Sequence, residues 1–270
     1  MSRRSWFGAV AFLALLATLA FLVIPVVAIF ADVSPARLLD ALGEESARDA
    51  LWLSLRATAI ALVIVIVVGT PAAYLLASRD FRGRALVLTA IELPLVMPPA
   101  VAGIALLAAF GPEGILGSAV SSAGIELVFQ TAGVVVALVF VSAPFFLRQA
   151  IAAFAALDGR FLEAARTLGA GPFRAFATVA LPSVRAGLAS GVALAWGRAL
   201  GEFGATLLFA GSLQGVTQTA PLAIFADFSK PDGFVSALAL SAVLIVVSAA
   251  LLLSVKLLGG DRALEGSSRL

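Results

Sequence analysis

The chain has 270 residues, 61% hydrophobic and 13% charged, with a formal net charge of +2, no cysteine and no histidine, and a mean hydropathy of +1.09. A soluble domain carries about 25% charged residues, so this apolar content exceeds what a water-soluble core of this size hides and indicates a polytopic, all-α membrane protein. The missing thiols and imidazoles exclude Cys nucleophiles, His bases, zinc fingers, His-ligated haem and disulfide frameworks.

A bilayer core of about 30 Å requires about 20 helical residues. Six apolar runs approach or exceed that length: residues 6–30, 51–77, 85–110, 131–147, 184–210 and 234–258. The first follows Arg3 and Arg4 but is longer than a signal-peptide core and lacks an A-x-A-like cleavage site, so it is expected to remain as a span. The third carries Glu92 about two turns in, then Pro94, Pro98 and Pro99. Prolines remove backbone donors and bend helices, so this stretch is either a hinge or gate with an intramembrane carboxylate, or a structural kink with Glu92 reaching the interface.

Between the fourth and fifth runs lies residues 148–185, far longer than a helix hairpin needs. Asp158 is placed to cap a helix, Phe161, Ala165 and Leu168 share one face, Gly169 sits where a left-handed C-cap wants glycine, and Gly171-Pro172 is expected to stop the helix. A helix of about three turns is too short to be stable alone. It either rests on lipid or fits a groove on another protein, and periodicity does not separate the two.

The fifth run contains Arg198 and Glu202, four residues apart. At that spacing they neutralise each other on one helix, either as a packing lock or as a charged step on a translocation path. Gly197, Gly201 and Gly204 lie on a neighbouring stripe of the kind that lets membrane helices approach closely; packing and a passage beside them are both open.

Basic residues mark the cytoplasmic side of a membrane protein. With the N-terminus inside, that side holds Arg3, Arg4, Arg79, Arg82, Arg84, Arg148, Arg160, Arg166, Arg174, Arg185, Lys256, Arg262 and Arg269, against Arg37, Arg48 and Lys230 outside, with Arg56 and Arg198 inside spans. Both termini are therefore expected in the cytoplasm. The basic residues flank the spans instead of forming one soluble basic face, so nucleic acid is not an expected partner. The only lysines, Lys230 and Lys256, sit in no G-x-x-x-x-G-K-[ST] loop, and the chain is not expected to hydrolyse ATP by that machinery. No internal repeat or linker is visible, and residues 1–270 are read as a single transmembrane domain.

Glu163-Ala164-Ala165, three residues, Gly169, nine residues, then Val179-Ala180-Leu181-Pro182 resembles the EAA loop of the integral-membrane permeases of binding-protein-dependent ABC importers. Val179, where the family pattern has isoleucine, is the one departure. The resemblance implies a type I importer permease fold in which residues 158–182 form a coupling helix on a cytoplasmic ATP-binding subunit, with Glu163, Ala164, Ala165, Gly169, Leu181 and Pro182 as coupling residues. Leu93 to Gly103, Gly197 to Thr206 with Gly211, and Thr217 to Ile224 are similar to segments of molybdate permeases, with sulfate and tungstate permeases sharing much of the pattern.

The resemblance further implies a second copy of the chain, two ATP-binding subunits carrying the ATP and Mg, an extracytoplasmic oxyanion-binding protein, and no catalytic, metal or cofactor site in this chain. Glu92, Pro94, Pro98, Pro99, Arg198, Gly201, Glu202 and Gly204 are the candidates for path, gate or helix packing. A stand-alone secondary transporter or channel would be expected to carry inverted repeats, which are not visible. A membrane enzyme needs an acid–base cluster, and the intramembrane ionisable set is Arg56, Glu92, Arg198 and Glu202.

Overall fold

A computed structural model describes residues 3–259 except 35, 37, 38, 41 and 42, and the side chains of 3–5 and 256–259 are also outside it. Arg37, Arg262 and Arg269 of the charge count therefore lie outside the described residues. The described residues form helices α1 (Arg3–Asp32), α2 (Glu45–Ser78), α3 (Arg84–Val96), α4 (Pro99–Phe110), α5 (Gly117–Ser122), α6 (Thr131–Ala155), α7 (Gly159–Thr167), α8 (Pro172–Ser183), α9 (Arg185–Leu200), α10 (Gly204–Ala210), α11 (Ala220–Phe228) and α12 (Phe234–Gly259). Four of these are long and apolar enough to cross a membrane, and the count rises to six if each of two bent pairs is one span.

The centre is α6, which packs along α2 and α9 and also meets α3 and α10. Buried positions of α2 recur every three or four residues, among them Ala57, Ala61, Leu62, Val65, Gly69, Ala73 and Leu76, the period of one helix face. Lipid is as apolar as leucine, so close packing by small residues, not hydrophobic burial, holds such helices together. Gly69 illustrates it: a Cβ there would come within 3.0 Å of the fully buried Phe146 ring of α6. Ala57 and Ala61 of α2, Val134 and Leu138 of α6, Ala199 of α9 and Ala210 of α10 converge in one cluster. By contrast α1 is exposed along almost its whole length and touches chiefly α12.

Several sequence boundaries change. The fourth run does not end at residue 147 but continues as helix to Ala155, so Arg148 sits on α6 and not in a loop. The helix at Gly159 does end before Gly171-Pro172, at Thr167; Pro172 then occupies the first turn of α8, where a missing N–H costs nothing. α8 contains one π turn, Phe176–Ala180, and meets α9 at 72°.

The two runs richest in Pro or Gly are not continuous helices. The third breaks at Met97 and Pro98, where α3 and α4 turn by 119°. Pro94 lies within α3, so the break falls where Pro98 and Pro99 together restrict the preceding residues. The fifth ends as α9 at Leu200 and restarts as α10 at Gly204.

Candidate functional site: the outlying helix and the broken-helix pair

α7 forms as its sequence dictates. Asp158 accepts a hydrogen bond from the Arg160 N–H at 3.0 Å, capping the N-terminus, and Gly169 follows the C-terminus with φ +85°, a conformation that disfavours any residue with a Cβ. Glu163 and Ala164 are exposed and Ala165 is half-buried. The expected apolar face is open: Phe161 and Leu168 are exposed, as is Phe173 of α8.

The opposite side of the segment is anchored. Leu157, Leu162 and Phe176 pack on a core that includes Phe154 of α6. Tyr74 of α2 stands 5.4 Å from the Phe154 ring and 4.9 Å from the Phe176 ring. These three aromatics connect α8 to α2 and α6, with Leu162 joining α7 to the same core, and sequence spacing did not reveal them; the one available signal was that Tyr74 is the only tyrosine in the chain. Leu181 and Pro182 lie not beside Glu163 but in the last turn of α8, next to its junction with α9.

The second constellation surrounds the two breaks. α10 packs against α4. A Cβ on Gly103 would lie 2.8 Å from Leu208 Cβ and 2.9 Å from the Ala205 carbonyl oxygen. Ala102 and Leu106 of α4 and Ala205 and Phe209 of α10 share a core with Ala137 and Val141 of α6. Arg198 and Glu202 do form an ion pair, Nη1 to Oε2, at 2.5 Å, yet only Arg198 is on a helix. Glu202 stands in the break, 1% exposed, and its Oε1 accepts the Ala205 N–H of α10 at 2.7 Å. Within this chain the three glycines are not packed alike: a Cβ on Gly197 would meet nothing within 4 Å, Gly201 sees only the Gly197 carbonyl at 3.5 Å, and Gly204 alone is tightly enclosed.

Glu92 of α3 finds a cation on another helix, its Oε1 lying 3.9 Å from Arg148 Nε on α6, with both side chains about half exposed or more. Pro98 immediately precedes α4 and Pro99 begins it.

The loop after α10 is a built structure. Thr217 Oγ1 accepts the Leu213 N–H at 2.8 Å, Thr131 Oγ1 donates to the Val216 carbonyl at 2.8 Å, and the buried Ser54 Oγ of α2 accepts the Ala220 N–H at 2.7 Å, capping α11 from a distant helix. An open depression of about 490 Å³ beside it is lined by Ser121, Glu126, Gln130 and Thr131 among others. Glu126 is its only charged side chain, so it offers no cation to an anion.

These features define a polytopic helical membrane protein with broken spans and an outlying amphipathic helix, the architecture of a transport permease. The chain belongs to the family of binding-protein-dependent transport system inner membrane components, whose model matches residues 66–260. It is 42% identical over 245 residues to the molybdenum transport system permease protein ModB of Mycobacterium tuberculosis, covering 90% of this chain and 92% of that one. It is 36% identical over 223 residues to the sulfate transport system permease protein CysW of a Synechocystis species, covering 81% and 80%. Its fold matches that of a bacterial ABC transporter involved in the import of the acidic polysaccharide alginate, with a TM-score of 0.76 at 16% identity over 95% of this chain and 96% of that chain.

Proposed function

We propose that this chain is the membrane subunit that carries molybdate across the inner membrane, working as a pair of copies with both termini in the cytoplasm. Two cytoplasmic subunits bind and hydrolyse ATP with Mg, and an extracytoplasmic oxyanion-binding protein delivers the substrate. The observation that carries this reading is α7: a capped helix whose Glu163, Ala164, Phe161 and Leu168 face outward while Leu162 and the Tyr74–Phe154–Phe176 cluster hold its other side to the bundle. A short helix exposed on one side and tied on the other transmits a push from a docked partner into α2 and α6. The exposed α1 and the open α9 surface at Gly197 are consistent with a second copy.

The likeness to ModB favours molybdate, and the likeness to CysW makes sulfate the second reading, with tungstate close to molybdate in size and charge. The test is uptake of labelled molybdate, tungstate and sulfate at equal concentration by the complex reconstituted in vesicles, with and without ATP. Preference for sulfate would overturn the substrate, and uptake without ATP or partners would overturn the class.

A further inference from the structure

The two halves of the Arg198–Glu202 pair are not equivalent. Glu202 is 1% exposed: its Oε1 accepts the Ala205 N–H, while its buried Oε2 makes no hydrogen bond and is matched by the ion pair to Arg198 alone. Arg198 keeps 27% of its side chain exposed. Its guanidinium carries five N–H donors, and among the described residues Glu202 is its one ionic partner. An approaching anion therefore meets spare donors first, with the carboxylate behind them.

Position supports the same conclusion. Arg198 lies about 20 Å along α9 from Arg185 at 1.5 Å per residue, which places it in the outer half of a bilayer core of about 30 Å. Leu194, Gly197 and Gly201 beside it are exposed, and a Cβ at 197 would meet nothing within 4 Å, so this face of α9 is uncovered within this chain. An ionisable side chain at such depth is costly and marks a pathway more often than a scaffold.

Resting on the proposed function, we infer that Arg198 is a specificity-determining contact for a tetrahedral oxyanion in transit, and that Glu202 attenuates it. A guanidinium presents paired donors that match the edge of an oxyanion. A lone buried arginine would hold a dianion too long, whereas conduction requires binding weak enough to release. Glu202 competes for the same cation, keeps the pair neutral overall, and by capping α10 fixes the guanidinium in place.

Glu202→Gln separates these roles, because glutamine retains an oxygen for the Ala205 N–H and loses only the charge. The purified complex, without its binding protein, is titrated with labelled molybdate and then assayed for uptake in vesicles. Glu202→Gln is expected to bind about tenfold tighter, the ratio that one charge-assisted hydrogen bond commands, while its maximal uptake rate falls severalfold. Arg198→Gln combined with Glu202→Gln leaves no buried charge and is expected to abolish the gain in binding, with a thermal midpoint near that of the parent.

Unchanged binding in Glu202→Gln, or loss of uptake without tighter binding, would overturn the inference. So would a double variant that binds as tightly as Glu202→Gln. If the parent complex takes up no oxyanion at all, the functional reading fails, and the binding titration still decides whether the pair engages a tetrahedral dianion.

Discussion

Pro99 and Gly204 touch where two half-helices begin: a Cβ added at Gly204 would stand 2.7 Å from Pro99 Cβ and 3.2 Å from its carbonyl carbon. Both atoms on the Pro99 side are held by the backbone or ring, so neither is free to move aside. The contact locks the start of α10 onto the start of α4 and makes the two broken spans one packed unit.

Gly204→Ala is accordingly expected to destabilise by about 1–3 kcal/mol, the cost of overpacking a close contact. Gly197→Ala is the matched control, because nothing lies within 4 Å of its Cβ position. Thermal midpoints of the purified protein in detergent compare the two. Equal midpoints would show that the helices separate freely at this point.

The outward face of α7 predicts a separation of folding from function. Glu163→Lys alters an exposed residue and is expected to leave insertion and thermal midpoint unchanged while abolishing ATP-driven uptake. Gly169→Ala forces a Cβ into a φ of +85° and is expected to cost about 1–2 kcal/mol, with Gly169→Pro losing uptake altogether. Normal uptake in both Glu163→Lys and Gly169→Pro would refute the docking role of this helix.

The aromatic tie between α8 and the bundle gives a third expectation. Phe176→Ala removes a ring 4.9 Å from Tyr74 and 6.2 Å from Phe154, and should lower the uptake obtained per ATP hydrolysed severalfold without blocking assembly. Tyr74→Phe keeps the ring and should behave as the parent. Measuring ATPase and uptake in the same vesicles distinguishes slackened coupling from simple loss of protein.

For Glu92 and Arg148 the separation of 3.9 Å, with both side chains uncovered by the rest of the chain, makes a loose pair, of about 0.2–1 kcal/mol where water reaches it. A double-mutant cycle with Glu92→Gln and Arg148→Gln should return a coupling energy in that range. A coupling several times larger would identify a desolvated lock between α3 and α6.

Ser54→Ala tests the distant cap on α11. It leaves the Ala220 N–H buried without its acceptor, and the expected loss is about 0.5–2 kcal/mol of stability. The loop from Gly211 to Thr219 should become more susceptible to protease, while α7 is unaffected. An unchanged midpoint would mean that another acceptor replaces the hydroxyl.

Much of the molecule was legible because it depends on neighbours close in the chain. Composition set the membrane class, and runs of about twenty apolar residues located the four helices long enough to cross a bilayer, since a bilayer imposes its thickness on any sequence that crosses it. The Asp158 cap, the face of α7 and the left-handed Gly169 are decided within one or two helical turns, and they stand where the sequence puts them. The spacing of four between Arg198 and Glu202 likewise sufficed to pair them.

Other features depended on residues far apart. Three prolines and three glycines signalled irregular helices, but whether a broken backbone bends by 119° or runs nearly straight is decided by what packs on it and what satisfies the freed N–H and C=O groups. For α11 that partner is Ser54, 166 residues away from Ala220. For α10 it is Glu202, whose burial required α9 to end three residues before the helix restarts. The absence of Cys, His and a phosphate loop was settled by composition alone; the division of the intramembrane charges into a hidden carboxylate and a presented guanidinium came only from the way α4, α6, α9 and α10 close around the break.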